Sequence, residues 1–153
     1  MKIAFICTGN ICRSQMAEGI ARHFLLPSSK GVGKGEGGIF SAGIIPGKMH
    51  DVTQNVMHEI GIDISKQYSK SYLEVPLNQM DIIITMSDLA RSTIKGIQGL
   101  CSKIIHWDIE DPYHSAEDKK QLYENYRRVR DNIQKRISDP SANAQDDRSS
   151  FSG

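Results

Sequence analysis

A cysteine and an arginine separated by five residues bracket the run Cys7-Thr8-Gly9-Asn10-Ile11-Cys12-Arg13, and Ser14 follows at once. An apolar stretch (Ile3-Ala4-Phe5-Ile6) leads into the run, and an amphipathic stretch opens at Ser14. That order predicts a strand-to-helix turn, where backbone N–H groups point outward and the helix dipole favours an anion. Gly9 and Asn10 are residue types that tolerate positive φ, which a nest of N–H groups needs. Successive N–H groups from Thr8 through Ile11 and Cys12 to Ser14 can then surround three oxygens of a tetrahedral oxyanion. The thiolate, not the thiol, is the nucleophile, and a helix N-terminus with a cation beside it stabilises that anion. Arg13 closes the loop and can add bidentate hydrogen bonds, while the Ser14 hydroxyl can donate to the sulfur. Singly, Cys7 reads as a buried strand-end cysteine and Arg13 as a solvated side chain. Together they point to covalent chemistry on phosphate or a phosphate mimic.

The elements that must position this loop follow from hydropathy. Apolar, β-branched runs predict strands over residues 2–7, 39–41, 81–86 and 103–106. Three of the four are nearly all apolar, as strands covered on both faces by helices must be. A first helix is expected from residue 14 to about 25, with Ala17, Ile20, Ala21 and Phe24 on one face. A second covers about 52–60, with Val52, Val56 and Ile60 spaced by four and Gly61 ending it. Leu122, Tyr126, Val129, Ile133 and Ile137 define a last helix, with Ser115 as its N-cap and Asp118 three residues on. Strands alternating with helices predict one α/β domain: a three-layer, doubly wound, four-stranded parallel sheet of flavodoxin-like order 2-1-3-4 with helices on both faces. Such folds bind ligands beyond the carboxyl ends of their strands, and Cys7 stands at such an end. The domain is expected over residues 1–138. Residues 28–38 read as a flexible Gly/Lys loop, and 139–153 as a disordered polar tail.

The 153 residues suffice for one core, and 39% hydrophobic with 24% charged residues is ordinary for a soluble domain. A formal net charge of +1 gives no reason to expect nucleic acid or an anionic membrane surface as partner. No apolar run approaches the roughly 20 residues that span a bilayer. Three cysteines are an odd count and too few for a disulfide framework, which fits a reducing cytoplasm. The five histidines show no metal-ligand spacing, and the chemistry calls for no cofactor. The basic run Tyr126-Arg127-Arg128-Val129-Arg130 reads as the solvated face of the last helix.

The run Cys-Thr-Gly-Asn-Ile-Cys-Arg-Ser resembles the signature loop of the low-molecular-weight protein tyrosine phosphatases, which share fold and loop with thioredoxin-coupled arsenate reductases. The likeness continues through Ser41-Ala42-Gly43, Gly61-Ile62-Asp63, the third strand, Ile109-Glu110-Asp111-Pro112-Tyr113 and the final helix. It implies a phosphomonoester hydrolase, a protein tyrosine phosphatase, in which Cys7 attacks phosphorus and Arg13 holds the oxyanion. Asp111 would then serve as general acid and later as general base. By the same resemblance Tyr113 walls the pocket, and Asn10, Ser14 and Ser41 hold the loop in shape. The expected partners are a phosphorylated protein or a small phosphomonoester, with phosphate or arsenate as the bound oxyanion. For Cys12 two readings stand, a reversible disulfide with Cys7 and simple packing beneath the loop.

Three departures bear on substrate. Gln15 stands where the phosphatases have proline, and His114 replaces a second aromatic after Tyr113. Residues 44–50 contain no Phe, Tyr or Trp, which implies a thinly walled entrance. Residues 56–67 and His106-Trp107 are more similar to the arsenate reductases. Those enzymes need resolving cysteines after the third strand, and residues 85–93 contain none. The alternatives are therefore an arsenate reductase using Cys7 and an external thiol, or a catalytically weak phosphate-binding protein.

Overall fold

The computed structural model describes residues 1–26 and 36–139. Four parallel strands, β1 (Ile3–Cys7), β2 (Ile39–Gly43), β3 (Ile82–Thr85) and β4 (Lys103–His106), form one sheet in the order β2-β1-β3-β4. Helices α1 (Arg13–Leu25), α2 (Asp51–Glu59), α3 (Asp88–Lys95) and α4 (Lys119–Ser138) cover it. The doubly wound α/β arrangement predicted from hydropathy is the one observed.

Side-chain alternation along each strand explains why the strands are apolar throughout. Ile3, Phe5 and Cys7 of β1 face a larger cluster with Met16, Ile20, Val56, Met57, Trp107, Tyr126 and Ile133, drawn from α1, α2, α4 and the segment after β4. Ala4 and Ile6 face the other way, onto Ala90 and Ile94 of α3 together with Val75, Leu77 and Met80. β1 pairs with both β2 and β3, so Cys7 emerges at the centre of the sheet's carboxyl edge.

Several boundaries and placements differ from the hydropathy reading, each for a local reason. β2 runs on to Gly43, whose N–H donates to the Lys70 carbonyl at 2.9 Å. α4 begins at Lys119 with Asp118 as N-cap, its Oδ1 accepting the Gln121 N–H at 2.8 Å. Ser115 is instead an acceptor for the Asn125 amide at 3.1 Å. Gly61 ends α2 in a left-handed conformation, φ 77°, as expected. Phe24 lies off the buried face and is 49% exposed. α3 has no counterpart in the hydropathy reading, because eight residues give little more than two turns of periodicity. Its markers are the Ser87 N-cap, which accepts the Ala90 N–H at 3.2 Å, and the four-residue spacing of Ala90 and Ile94.

The basic run on α4 is only partly a solvated face. Arg127 and Arg128 are exposed but paired, with Glu59 and Glu110 respectively. Arg130 is 8% exposed and donates to the Val56 carbonyl and to Glu59, both at 2.8 Å. These arginines tie α4 to α2 and to the segment after β4. Residues 28–35 of the predicted flexible loop lie outside the described residues, while its end, Glu36–Gly38, forms a short 3-10 turn; the predicted tail lies outside them over 140–153. Among the described residues, no helix is long and apolar enough to cross a membrane.

Candidate active site

The loop between β1 and α1 owes its shape to where its carbonyls go. The Cys7 carbonyl accepts from the Ile44 N–H (3.1 Å), Thr8 from Ile45 (2.8 Å) and Gly9 from Gly47 (3.0 Å). Ser69 Oγ also donates to the Gly9 carbonyl at 3.1 Å. Further round, the Asn10 carbonyl accepts from Gln15 Nε2 (3.1 Å), Ile11 from Thr53 Oγ1 (2.7 Å) and Cys12 from the Met16 N–H (2.9 Å). A trans peptide points its C=O and N–H in opposite directions. Six carbonyls drawn outward therefore turn the N–H groups of residues 8–13 toward the inside, which makes an anion-binding nest. Cys12 precedes α1 as its N-cap, so the helix's own unpaired N–H groups open onto the same space.

Asn10 fixes the sharpest bend. Among the described residues it is the one non-glycine with positive φ, 54°, and its amide is fully used. Nδ2 donates to Ser14 Oγ (2.8 Å) and Ser41 Oγ (3.0 Å), while Oδ1 accepts from Gln15 Nε2 (2.9 Å) and the Lys70 N–H (3.0 Å). Ser41 passes the network on to Glu18 Oε1 at 2.5 Å, and Glu18 also holds Arg22 at 2.9 Å. Gln15 does more than alter helix entry: its amide also reaches the Tyr68 carbonyl (3.0 Å), and Gln67 bonds its Oε1 (2.8 Å). Hydropathy gives no sign of this role, because two of its three partners, Gln67 and Tyr68, lie more than 50 residues away.

Gly43 backs the loop from outside. A Cβ there would meet Asn10 N at 2.8 Å, Gly9 C at 2.8 Å and Thr8 O at 2.9 Å, all backbone atoms. Gly43→Ala is expected to displace the loop, costing about 1–3 kcal/mol of stability and about tenfold or more in oxyanion affinity. Chemical denaturation and phosphate titration read the two effects separately.

At the centre, Cys7 is buried and its Sγ accepts the Asn10 N–H at 3.2 Å. Ser14 Oγ lies 2.8 Å from the same sulfur. With Cys7 ionised the sulfur can only accept, so the Ser14 hydroxyl then donates to it. Arg13 is buried as well, and its NH1 donates to the Met86 (3.0 Å) and Ile109 (3.1 Å) carbonyls. Its Nε is buried with no partner in the protein. A buried guanidinium N–H left unpaired is costly unless something accepts it, and an oxyanion in the loop is the acceptor that fits. Cys12 is free, as Cys7 is, and packs in the main apolar cluster. Burial first, and then the neighbouring Cys7, push its thiol well above the usual range, so it stays protonated.

Asp111 stands on the segment after β4, which Arg13 grips through the Ile109 carbonyl two residues earlier. Its Oδ1 accepts the Tyr113 N–H at 2.9 Å, and its Oδ2 meets His114 Nδ1 at 2.6 Å. Partial burial pushes the carboxyl upward, but the Tyr113 N–H, His114 and Arg13 together outweigh it and hold it below its ordinary value.

A second flat ring lies beside Tyr113, from a stretch that contains no Phe, Tyr or Trp. His50 lies against Tyr113 with ring centroids 4.5 Å apart and a 36° interplanar angle. Its Nδ1 is 3.3 Å from the hydroxyl of buried Tyr126. Tyr113 itself is 45% exposed. A count of aromatic residues overlooks an imidazole. Thr8 Oγ1 donates to Ser87 Oγ at 2.9 Å.

A cysteine, an arginine and an amide nest at the carboxyl edge of a 2-1-3-4 sheet define an oxyanion-binding α/β enzyme. The chain belongs to the low-molecular-weight phosphotyrosine protein phosphatase family, whose sequence model matches residues 2–149. An arsenate reductase of Halalkalibacterium halodurans is 36% identical over 138 residues, covering 88% of this chain and 91% of that protein. Among solved structures, a low-molecular-weight protein tyrosine phosphatase from T. tengcongensis superposes with a TM-score of 0.69 at 30% identity, over 90% of this chain and 95% of that one. An arsenate reductase in its phosphate-binding state superposes with a TM-score of 0.65 at 28% identity and the same coverages.

Proposed function

We propose that the protein is a phosphomonoester hydrolase working through a cysteinyl-phosphate intermediate, with phosphorylated tyrosine or a related aryl phosphate as substrate. The observation that carries this reading is a carboxyl, Asp111, on the segment anchored by the same arginine that closes the Cys7 loop. Cys7 as thiolate attacks phosphorus while the loop N–H groups and Arg13 hold the equatorial oxygens. The P–O ester bond breaks, and the leaving oxygen takes a proton from Asp111. Water then attacks the phosphocysteine as Asp111 takes back a proton. Phosphate departs, and the P–S electron pair returns to sulfur, where the Asn10 N–H and Ser14 hydroxyl stabilise it. The ring pair Tyr113–His50 supports an aryl ester, which has a flat face to lay against them.

Arsenate reduction with an external thiol is the second reading, favoured by the 36% identity to a protein named arsenate reductase. Residues 85–93 offer no resolving cysteine, and Ser87 caps α3 there. Cys7 would bind arsenate, and a small thiol would have to resolve the adduct.

Hydrolysis of p-nitrophenyl phosphate and phenyl phosphate by the wild type and Asp111→Asn separates the two. The phosphatase reading expects Asp111→Asn to lower kcat/KM on phenyl phosphate by about 10²–10³. The loss should be smaller on p-nitrophenyl phosphate, whose leaving oxygen needs less help. No hydrolysis of either ester by the wild type, together with arsenate-dependent thiol oxidation requiring Cys7, would establish the second reading instead.

A further inference from the structure

The chemistry proposed above does not use His114. A carboxylate oxygen can only accept, so with Asp111 ionised the hydrogen in the 2.6 Å contact sits on His114 Nδ1. Each oxygen of Asp111 then has its own donor, Tyr113 N–H on Oδ1 and His114 on Oδ2, and the carboxyl plane has no freedom to turn. The imidazole is held in turn by the Tyr113 ring, met edge-on at 5.4 Å and 86°, while His50 packs on that ring and bonds Tyr126. The other charged or titratable groups facing Asp111 are Arg13 of α1, Cys12 before it, and Tyr126 of α4. The adjacent Glu110 is paired with Arg128.

We propose that His114 is a positioning residue for the acid–base step: it fixes the direction of the Asp111 carboxyl and sets the alkaline limit of the reaction. This rests on the phosphatase reading, since it is the departing ester oxygen that requires a proton on Asp111. A donor on Oδ2 favours the ionised carboxylate. The bond therefore orients the acid and at the same time narrows the pH range over which that acid holds its proton. Position 114 is also one of the departures from the family pattern, an imidazole standing in place of a second aromatic after Tyr113.

Two measurements test it. The first is a carbon-13 titration of the Asp111 carboxyl in the full chain, wild type against His114→Ala. The second is the pH profile of kcat/KM for phenyl phosphate in wild type, His114→Ala and His114→Asn. Removing the donor should raise both the carboxyl midpoint and the alkaline limb by about half a pH unit, since His114 is largely exposed and solvent screens its bond to the half-buried Asp111. His114→Asn keeps a neutral donor, so it should retain more of the rate on phenyl phosphate than His114→Ala and shift the limb less. A carboxyl midpoint and limb unmoved in His114→Ala, in an enzyme that hydrolyses the ester, would overturn the role of His114 alone. Absence of hydrolysis by the wild type would overturn the phosphatase reading, and the acid-step role with it, whatever the titration shows.

Discussion

Replacing Cys7 by serine is expected to abolish hydrolysis while leaving the oxyanion loop able to bind. The two donors on Sγ, the Asn10 N–H at 3.2 Å and the Ser14 hydroxyl, stabilise a thiolate. An alcohol in the same place stays protonated at neutral pH and is a poor nucleophile without a base beside it. Among the described residues no histidine or carboxylate bonds this sulfur to supply one: its partners are Asn10 and Ser14. The expected loss in kcat on p-nitrophenyl phosphate is on the order of 10⁴-fold or more, the scale seen when a nucleophile is removed. The carbonyl bonds that shape the loop do not involve the sulfur, so inorganic phosphate should still raise the unfolding temperature of Cys7→Ser. Activity near wild type in this variant would exclude Cys7 as the attacking group.

Arg13→Lys is expected to lower kcat/KM by about 10²–10³ and to weaken phosphate inhibition in parallel. The guanidinium performs two tasks with different nitrogens. NH1 draws together the Met86 and Ile109 carbonyls, beyond the ends of β3 and β4, while Nε stays buried and available to the loop. A lysine ammonium is a compact point charge and cannot span both carbonyls and an oxyanion with a fixed fork. The lysine variant is the informative one, since alanine would also leave two buried carbonyls without a donor. Kinetics measured well below the variant's unfolding temperature separate the two effects. An unchanged kcat/KM there would mean that Arg13 is a structural tie between strands and not part of the oxyanion site.

The sequence carried the order of the sheet and the position of the loop, because both rest on patterns that are local. Ile3 to Cys7 read as a strand covered on both sides, and they are divided between two apolar clusters. Gly9-Asn10 read as a bend of unusual backbone, and Asn10 takes it. The parts that were not legible depend on partners far along the chain. Gln15 reads as a neutral substitution at a helix start until Asn10, Gln67 and Tyr68 surround it. Arg130 reads as a surface charge until the Val56 carbonyl, 74 residues away, is found to accept from it. His50 falls outside any count of aromatic side chains, and only its stacking on Tyr113 gives it a place at the entrance. Periodicity reports which face of an element is buried. It carries no information about the atom that a buried polar group will find there.

The outward anchoring of the six carbonyls from Cys7 to Cys12 has a consequence for how this protein meets its ligand. Each is tied to a partner outside the sharp bend, in the strand-two exit, the start of α1, α2 or the segment near Ser69. The donors are thus aimed before any anion arrives, and capture requires no reorganisation of the chain. Affinity is not reduced by the entropy of ordering a loop, and the same alignment is already in place when charge builds on the equatorial oxygens.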